Sequence, residues 1–347
     1  MRTRRDPDIE DEVAGYQARM GTLARILKRH TSRALDSLRG DIRDMLERGR
    51  YDPLHASVFL NTQADSSSIR RLEEIIRDAP EGMRSRAWKD VLDAVANGRL
   101  TNRKALRLLS RYTLYTAIDP IVTASARILS EVAEDGYFHA SYILQKSAGI
   151  GWGVDGLNGG RTQIIVDSVL TQSKAKRFVS VAADMADERV RYEMLKGSSP
   201  AQVVRGVDYA DSATTYRAKR ESRTMITQTA NRGHEESYRR HKVKQYEFTA
   251  TWDERTCPVC GRLDGKTFPL DEGKVGLNMP PMHPNCRCTT VAALTPEVKA
   301  LMAKQTYTDR ATGQVHEVGY DMHYSEWYRT FGPGRRDGVA YVPKKRN

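Results

Sequence analysis

All four cysteines of the chain, Cys257, Cys260, Cys286 and Cys288, fall in one short stretch toward its C-terminal end. A disulfide framework scatters its cysteines, whereas a metal site gathers them. With His283 the stretch reads C-x2-C-x22-H-x2-C-x-C. A C-x2-C knuckle lets two thiolates from one tight turn converge on a tetrahedral ion, and a second pair from a distant loop closes the coordination. Five soft or borderline donors compete here for four positions. The pattern predicts a structural Zn2+ site built on Cys257 and Cys260 and completed by two of His283, Cys286 and Cys288, with the spare group beside the ligands.

Other readings of the same residues are reduced thiols or two disulfides in a hairpin whose Gly and Pro residues already impose its turns, and thioredoxin-like chemistry from Cys257-Pro258-Val259-Cys260. The redox motif wants a βαβ setting, but this one follows a strand-like run and precedes a turn-rich loop. A catalytic zinc needs an open position and a nearby base. Asp253, Glu254 and Asp264 are close in sequence, yet five protein donors argue for a closed site. The zincin motif is absent, because His234-Glu235-Glu236-Ser237-Tyr238 lacks a second histidine at i+4.

Upstream, the chain reads as helix. Leu27, Ala34, Leu35, Leu38, Ile42, Met45 and Leu46 recur at spacings of mostly three and four, placing them on one side of a helix that ends near Gly49. A polar loop from Asn61 to Ser68 leads to a second run with Leu72, Ile75 and Ile76, stopped at Ala79-Pro80. Trp88, Leu92 and Val95 continue up to a C-cap at Asn97-Gly98. Further helices are expected from Asn102 to Ile118 and from Pro120 to about Leu144.

Gly149 to Gly160 is the most glycine-dense segment, and the main boundary is expected there. Its formal G-x-G-x-x-G at Gly151, Gly153 and Gly156 lacks the preceding strand that a dinucleotide site requires, so it reads as a connector. Beyond it a helix is expected from Gln163 to Leu195, then a short helix opened by Ser198-Ser199-Pro200. Next comes a long polar run from Asp208 to His241. Its arginines, Arg217, Arg220, Arg223, Arg232, Arg239 and Arg240, suggest a solvated helix or one facing an acidic partner. Strand character appears only at Gln245 to Trp252, where aromatic and Thr residues alternate with polar ones. The expected fold is mainly α: long helices followed by a small α+β zinc-knuckle-like module near the C-terminus. In domains this is a helical arm over 1–148, a glycine-rich connector with long helices over 149–242, the Cys/His module over 243–295, and a tail over 296–347.

From Trp152 onward the chain resembles the phage Mu F-like minor head (head-morphogenesis) proteins of tailed bacteriophages. Three stretches carry the resemblance: Arg223 to Asn231; Tyr246 to Cys260 with Leu263-Asp264-Gly265; and Pro280 to Thr290. Gly149 to Gly197 is similar to the family's segment before the module, and Tyr320 to Tyr328, with Trp327, to the end of such proteins in some phages. The resemblance implies a non-enzymatic minor capsid protein of the virion, portal-associated inside the head and made in the cytoplasm of the infected bacterium. It also implies action in viral assembly and in DNA packaging or ejection. Implied partners are the portal protein, the major capsid or scaffolding protein, and packaged DNA without sequence specificity. The alternative is a capsid-maturation protease or a zinc-knuckle nuclease acting during head assembly. No G-x-S-x-G elbow marks a protease, and His283 and Asn285 of the nuclease reading lie inside the knuckle. A zinc-dependent DNA-binding regulator would need a recognition helix with a compact basic face, whereas these arginines alternate with Glu221, Glu235 and Glu236.

The formal charge of +12, from 56 Lys+Arg against 44 Asp+Glu, is modest over 347 residues and reads as a solvated mixed-charge surface or as work close to nucleic acid; with the resemblance it implies a surface beside packaged DNA, in phosphate-directed, salt-sensitive contact rather than sequence readout. No run of roughly 18 apolar residues occurs, so no membrane span is expected. The opening MRTRRDPDIEDEV has an arginine cluster followed by acids rather than an apolar stretch, so no cleaved signal peptide is expected.

Overall fold

The computed structural model describes residues 7–151, 153–251, 256–293 and 316–317. In chain order the helices are α1 (Pro7–Arg48), α2 (Ala56–Asn61), α3 (Ser66–Asp78), α4 (Glu81–Ala96), α5 (Asn102–Tyr115), α6 (Ile118–Ala148), α7 (Gly159–Val169), α8 (Gln172–Leu195), α9 (Pro200–Arg240) and α10 (Pro258–Leu263). The strands are β1 (Ile150–Gly151), β2 (Gln245–Thr249), β3 (Thr267–Pro269), β4 (Thr289–Ala292) and β5 (His316–Glu317). The expected class, long helices and then a small α+β module, is the one observed. No described helix is long and apolar enough to cross a membrane. The expected strand residue Trp252 and the similar segment Tyr320 to Tyr328 lie outside the described residues.

The chain forms two compact units. One comprises Thr22–Ala126 and Leu170–Lys219; the other takes the described parts of Met1–Gly21, Arg127–Val169 and Arg220–Asn347. The unit boundaries fall inside α1, α6 and α9, and the glycine-dense segment lies within the second unit. What precedes its G-x-G-x-x-G is helix α6 and the two-residue β1, which pairs with β5.

In the first unit the apolar stripe of α1 is buried as its spacing dictates: Leu27, Leu35, Leu38 and Ile42 are all within 2% of full burial. α5 packs on α8 and α3, with Leu106, Leu109, Ile75, Val179 and Val190 in the core. Polar contacts fix the register, since Lys28 Nζ meets Asp211 Oδ1 at 2.6 Å and Arg39 Nη2 meets Asp208 Oδ1 at 2.8 Å. The single helix expected from Gln163 to Leu195 is two. Thr171 leaves helical geometry and its Oγ1 accepts the Lys174 N–H, so α8 starts afresh with its own N-cap.

α9 departs most from expectation. Pro200 opens no short helix, because the helix runs 41 residues without a break to Arg240. Nor is the polar run solvated beyond Lys219, although Asp208, Tyr209, Ser212, Thr215, Tyr216 and Lys219 are exposed. Ser222, Met225, Ile226, Thr229, Ala230, Asn231, His234, Ser237 and Tyr238 are buried. Small and hydrogen-bonding side chains can be buried here because some of their polar atoms are satisfied within the helix: the Thr229 hydroxyl donates to the Met225 carbonyl and Asn231 Nδ2 to the Thr227 carbonyl. Gly136 of α6 and Gly233 of α9 mark a crossing so close that a Cβ on Gly136 would lie 2.5 Å from the Ala230 carbonyl oxygen. Beside it the hydroxyls of Ser141 and Ser237 hydrogen-bond at 2.8 Å.

The sheet of the second unit has the order β3-β2-β4, antiparallel throughout, with Tyr246 opposite Phe268 and Ala292, and Thr249 opposite Thr289. Successive side chains alternate faces, so Tyr246 and Phe248 share one, and both are fully buried. Tyr246 joins Ala140, Leu144, Tyr238 and Met279 in one core cluster. Phe248 joins Ala250 and three of the cysteines in another.

Candidate metal centre

The first knuckle forms where β2 has ended and α10 begins. Cys257 is the N-cap of α10 and its sulfur accepts the Cys260 N–H at 3.4 Å, while Gly261 N–H donates to the Cys257 carbonyl at 3.0 Å. Pro258 occupies the first helical position, where its fixed φ suits the turn and its missing N–H is not needed. The second knuckle precedes β4. Cys286 N–H donates to the His283 carbonyl at 3.1 Å, and Asn285 takes the left-handed conformation, φ +68, that reverses the chain between them.

The two turns bring five donor atoms together. Cys257, Cys260 and His283 form one triad with ligand atoms within 4.8 Å of one another, and Cys260, Cys286 and Cys288 form a second. His283 Nε2 lies 3.2 Å from Cys257 Sγ and 3.4 Å from Cys260 Sγ, and the sulfurs of Cys260 and Cys286 are 4.0 Å apart. His283 Nδ1 sits 2.9 Å from the Pro284 carbonyl, which can only accept, so Nδ1 carries the proton in the neutral ring and Nε2 presents its lone pair to the thiols. All four cysteines are free thiols. Cys260, Cys286 and Cys288 are buried and Cys257 is half-buried.

The sulfurs differ electrostatically. Burial opposes ionisation of Cys257, but the N–H groups of Cys260 and Val259 outweigh it and hold the thiol below its usual range. Cys286 is also lowered, first by the hydrogen bond from the Cys288 thiol and then, against burial, by backbone N–H groups of Cys288 and Met282. The same hydrogen bond, with burial, pushes Cys288 up. Burial would lower His283, but its bond to Pro284 and the neighbouring thiols raise it.

α9 braces the second knuckle along one stripe. Thr224 Oγ1 accepts the Asn285 N–H at 3.1 Å, and Thr227 Oγ1 donates to the Cys286 carbonyl at 3.0 Å. Asn231 Nδ2 donates to the Cys288 carbonyl at 3.4 Å, and Tyr238 OH donates to the Thr290 carbonyl at 2.9 Å. These positions follow the three-and-four spacing of one helix face, but a spacing search keyed to apolar residues finds Tyr238 alone and passes over Thr224, Thr227 and Asn231. Asp264, near in sequence, uses Oδ1 to accept the Ala250 N–H at 2.7 Å. Asp253 and Glu254 lie outside the described residues.

The six arginines of α9 do not form one surface. Arg232 and Arg239 converge on the buried Glu235, the latter at 2.7 Å, and Arg223 Nη1 donates to Asn285 Oδ1 at 3.2 Å. Arg220 lies 3.5 Å from Glu221, Arg240 3.6 Å from Asp155, and Arg217 is half-buried. Only Arg239 and Arg240 of the six are exposed.

Residues 172–291 match the family described as phage Mu protein F like protein. Over this segment the chain is similar to that family. The match takes in α8, α9, the three-stranded sheet and both knuckles of the Cys/His cluster. No curated protein and no solved structure matches the chain. The F-like segment therefore holds both the cluster, which can carry a metal ion, and the helix that braces it.

Proposed function

We propose that the protein is a structural minor head protein of a tailed phage, portal-associated inside the head and acting in head morphogenesis and in DNA packaging or ejection. The F-like match over 172–291 carries this reading, because it spans the braced cluster and the long helix together. The portal protein and the major capsid or scaffolding protein are its proposed partners. Contact with packaged DNA, through phosphates and without sequence recognition, falls to the exposed Arg239 and Arg240 rather than to all six arginines.

In this reading the cluster takes a structural Zn2+, held by four of Cys257, Cys260, His283, Cys286 and Cys288. Thiolate and imidazole donors suit zinc, and the ion would supply folding free energy to a module with a small core. A fastening role suits these residues better than catalysis: His283 Nε2 is directed at thiols, Asn285 is held by Arg223 and Thr224, and the Asp264 carboxylate caps the Ala250 N–H. These are the groups that a nuclease or metal hydrolase would need free.

The test is the chain's place in intact particles. Purified heads should contain it at few copies, shielded from external protease and mapped at the portal vertex, and heads assembled without it should yield fewer infectious particles. Its absence from heads, or a position on the exterior, would refute the reading.

A further inference from the structure

We propose that a groove between α5 and α8 in the first unit binds the phosphate groups of duplex nucleic acid through Arg103, Lys104, Arg107, Arg111 and Arg191. The site is separate from Arg239 and Arg240, and it rests on the proposed head function only for the identity of the nucleic acid as packaged DNA.

α5 places four of the cations. Arg103, Lys104, Arg107 and Arg111 stand at i, i+1, i+4 and i+8, within about 100° of arc on a helix of about 3.6 residues per turn. The row is about 12 Å long at about 1.5 Å per residue. Ala105, Leu106, Leu109 and Tyr112 fill the opposite side and are buried, so packing on α3 and α8 fixes which way the row faces. Arg103, Lys104 and Arg107 are exposed and Arg111 is half-buried. Arg191 of α8 joins them around an open cavity of about 450 Å³.

The row is electrostatically unfavourable by itself. Among the described residues none of the four α5 cations makes an ion pair or a side-chain hydrogen bond. Arg103 with Arg107, and Arg107 with Arg111, are like charges at i,i+4, and Arg103 and Lys104 sit in the first turn at the positive end of the helix dipole. α8 shows the opposite habit, with Asp187–Arg191 and Arg189–Glu193 paired at the same spacing at 3.0 and 2.7 Å. Two carboxylates line the cavity and both are engaged: Asp90 accepts the Tyr112 hydroxyl at 3.1 Å, and Asp187 Oδ2 holds the Arg191 guanidinium. Arg191 Nε is buried without a hydrogen-bond partner, as is Oδ1 of Asp187, a residue only 6% exposed. The first is a donor suited to a phosphate oxygen, and the second an acceptor suited to a water bound beside it.

The chemistry of the lining favours nucleic-acid phosphates over an acidic protein. Its one apolar side chain among the described residues, Leu108, is buried, so the groove offers no anchor of the kind that centres a protein interface. Contacts with nucleic acid are instead polar and strongly positive on the protein side. A row of about 12 Å exceeds one phosphate and spans several, which recur about every 3.4 Å of axis on each strand. Arg and Lys reach phosphates of any sequence alike, so no base preference is expected.

The experiment measures binding of the full chain, purified under reducing conditions, to two short duplexes of unrelated sequence, by fluorescence anisotropy between about 0.05 and 0.2 M salt. Wild type should bind both alike, with log K falling against log salt at a slope of about −4. Arg103→Gln with Arg107→Gln should make the slope shallower by about 2 and weaken binding at the lowest salt on the order of 10- to 100-fold, with an unchanged circular dichroism spectrum. Arg25→Gln with Arg29→Gln removes the same charge from exposed positions on α1 and should leave the slope as it was. Equal losses from the two pairs would mean diffuse attraction and overturn the site. A wild-type slope flatter than about −2 overturns it without any variant. Tighter binding of poly-glutamate than of the duplex, lost in Arg103→Gln with Arg107→Gln, would assign the groove to an acidic protein. Saturable binding of inorganic phosphate that excludes the duplex would assign it to a small phosphate. Either result overturns the proposal. Wild-type protein with no affinity for the duplexes also overturns it, while the location in the head is read separately from intact particles.

Discussion

Replacing Gly136 by alanine tests whether the crossing of α6 and α9 supports the braced centre. The new Cβ would sit 2.5 Å from the Ala230 carbonyl oxygen and 3.1 Å from its carbonyl carbon, both backbone atoms that cannot rotate away. Restoring a normal separation of about 3.5 Å requires the helices to part by about 1 Å. The Ser141–Ser237 hydrogen bond, 2.8 Å long and fully buried, would be stretched past its useful length. Losing it costs about 1 kcal/mol. Overpacking of this kind costs about 1–3 kcal/mol, and the helix propensity gained from Gly to Ala returns about 1 kcal/mol. The net expectation is a loss of about 1–3 kcal/mol. Gly233→Ala should behave alike, since its Cβ would meet the Ala133 carbonyl and, at 2.8 Å, the Tyr137 nitrogen. Gly40→Ala, a helical position with nothing within 4 Å, should instead stabilise by about 0.5–1 kcal/mol. Urea unfolding followed by far-UV circular dichroism, with all three variants at one protein concentration, reads the differences. If Gly136→Ala and Gly233→Ala match Gly40→Ala, the close approach of the two backbones is wrong.

Chelation of the wild-type protein should abolish amide protection in β2 and β4, since structural zinc contributes about 10 kcal/mol or more to such modules; unchanged hydrogen exchange would show that the knuckles hold without metal. Asn231→Ala, which frees the Cys288 carbonyl, should weaken zinc binding by about 10- to 100-fold in chelator competition. His241 gives a pH signature. Burial, with Arg240 adding to it, pushes its pKa down to about 4, so the folded chain keeps it neutral while the unfolded chain takes a proton below about 6.5. Its contribution is complete above pH 6.5 and is lost as the pH falls toward 4, by roughly 2 kcal/mol for a ring that keeps partial solvent access. Urea midpoints of wild type and His241→Gln should therefore converge with acidification; parallel curves would count against a buried neutral ring.

How far the sequence could be read depended on the kind of residue doing the burying. The stripe of α1, Leu27 through Leu46, and the alternation in β2 were legible because aliphatic and aromatic side chains report their own burial through periodicity. The cluster was legible as a set of donors because thiolates and imidazole are few and their spacing is short-range. Burial along α9 is less legible: beside Met225, Ile226 and Ala230 its buried face is made of Ser, Thr, Asn, Gly and Tyr, several of which are placed by partners far along the chain, namely Cys286, Cys288, Thr290 and the backbone of α6.

The sequence by itself determined the class of fold, the end points of most helices, the donor set and the likeness to phage Mu F-like proteins, all of which rest on local chemistry. Tertiary structure decided which sulfurs face His283 and which polar helix becomes the brace of the centre. The first turns on contacts across 23 and 26 positions and the second on contacts across 52 to 59, and no local pattern encodes a separation of that kind.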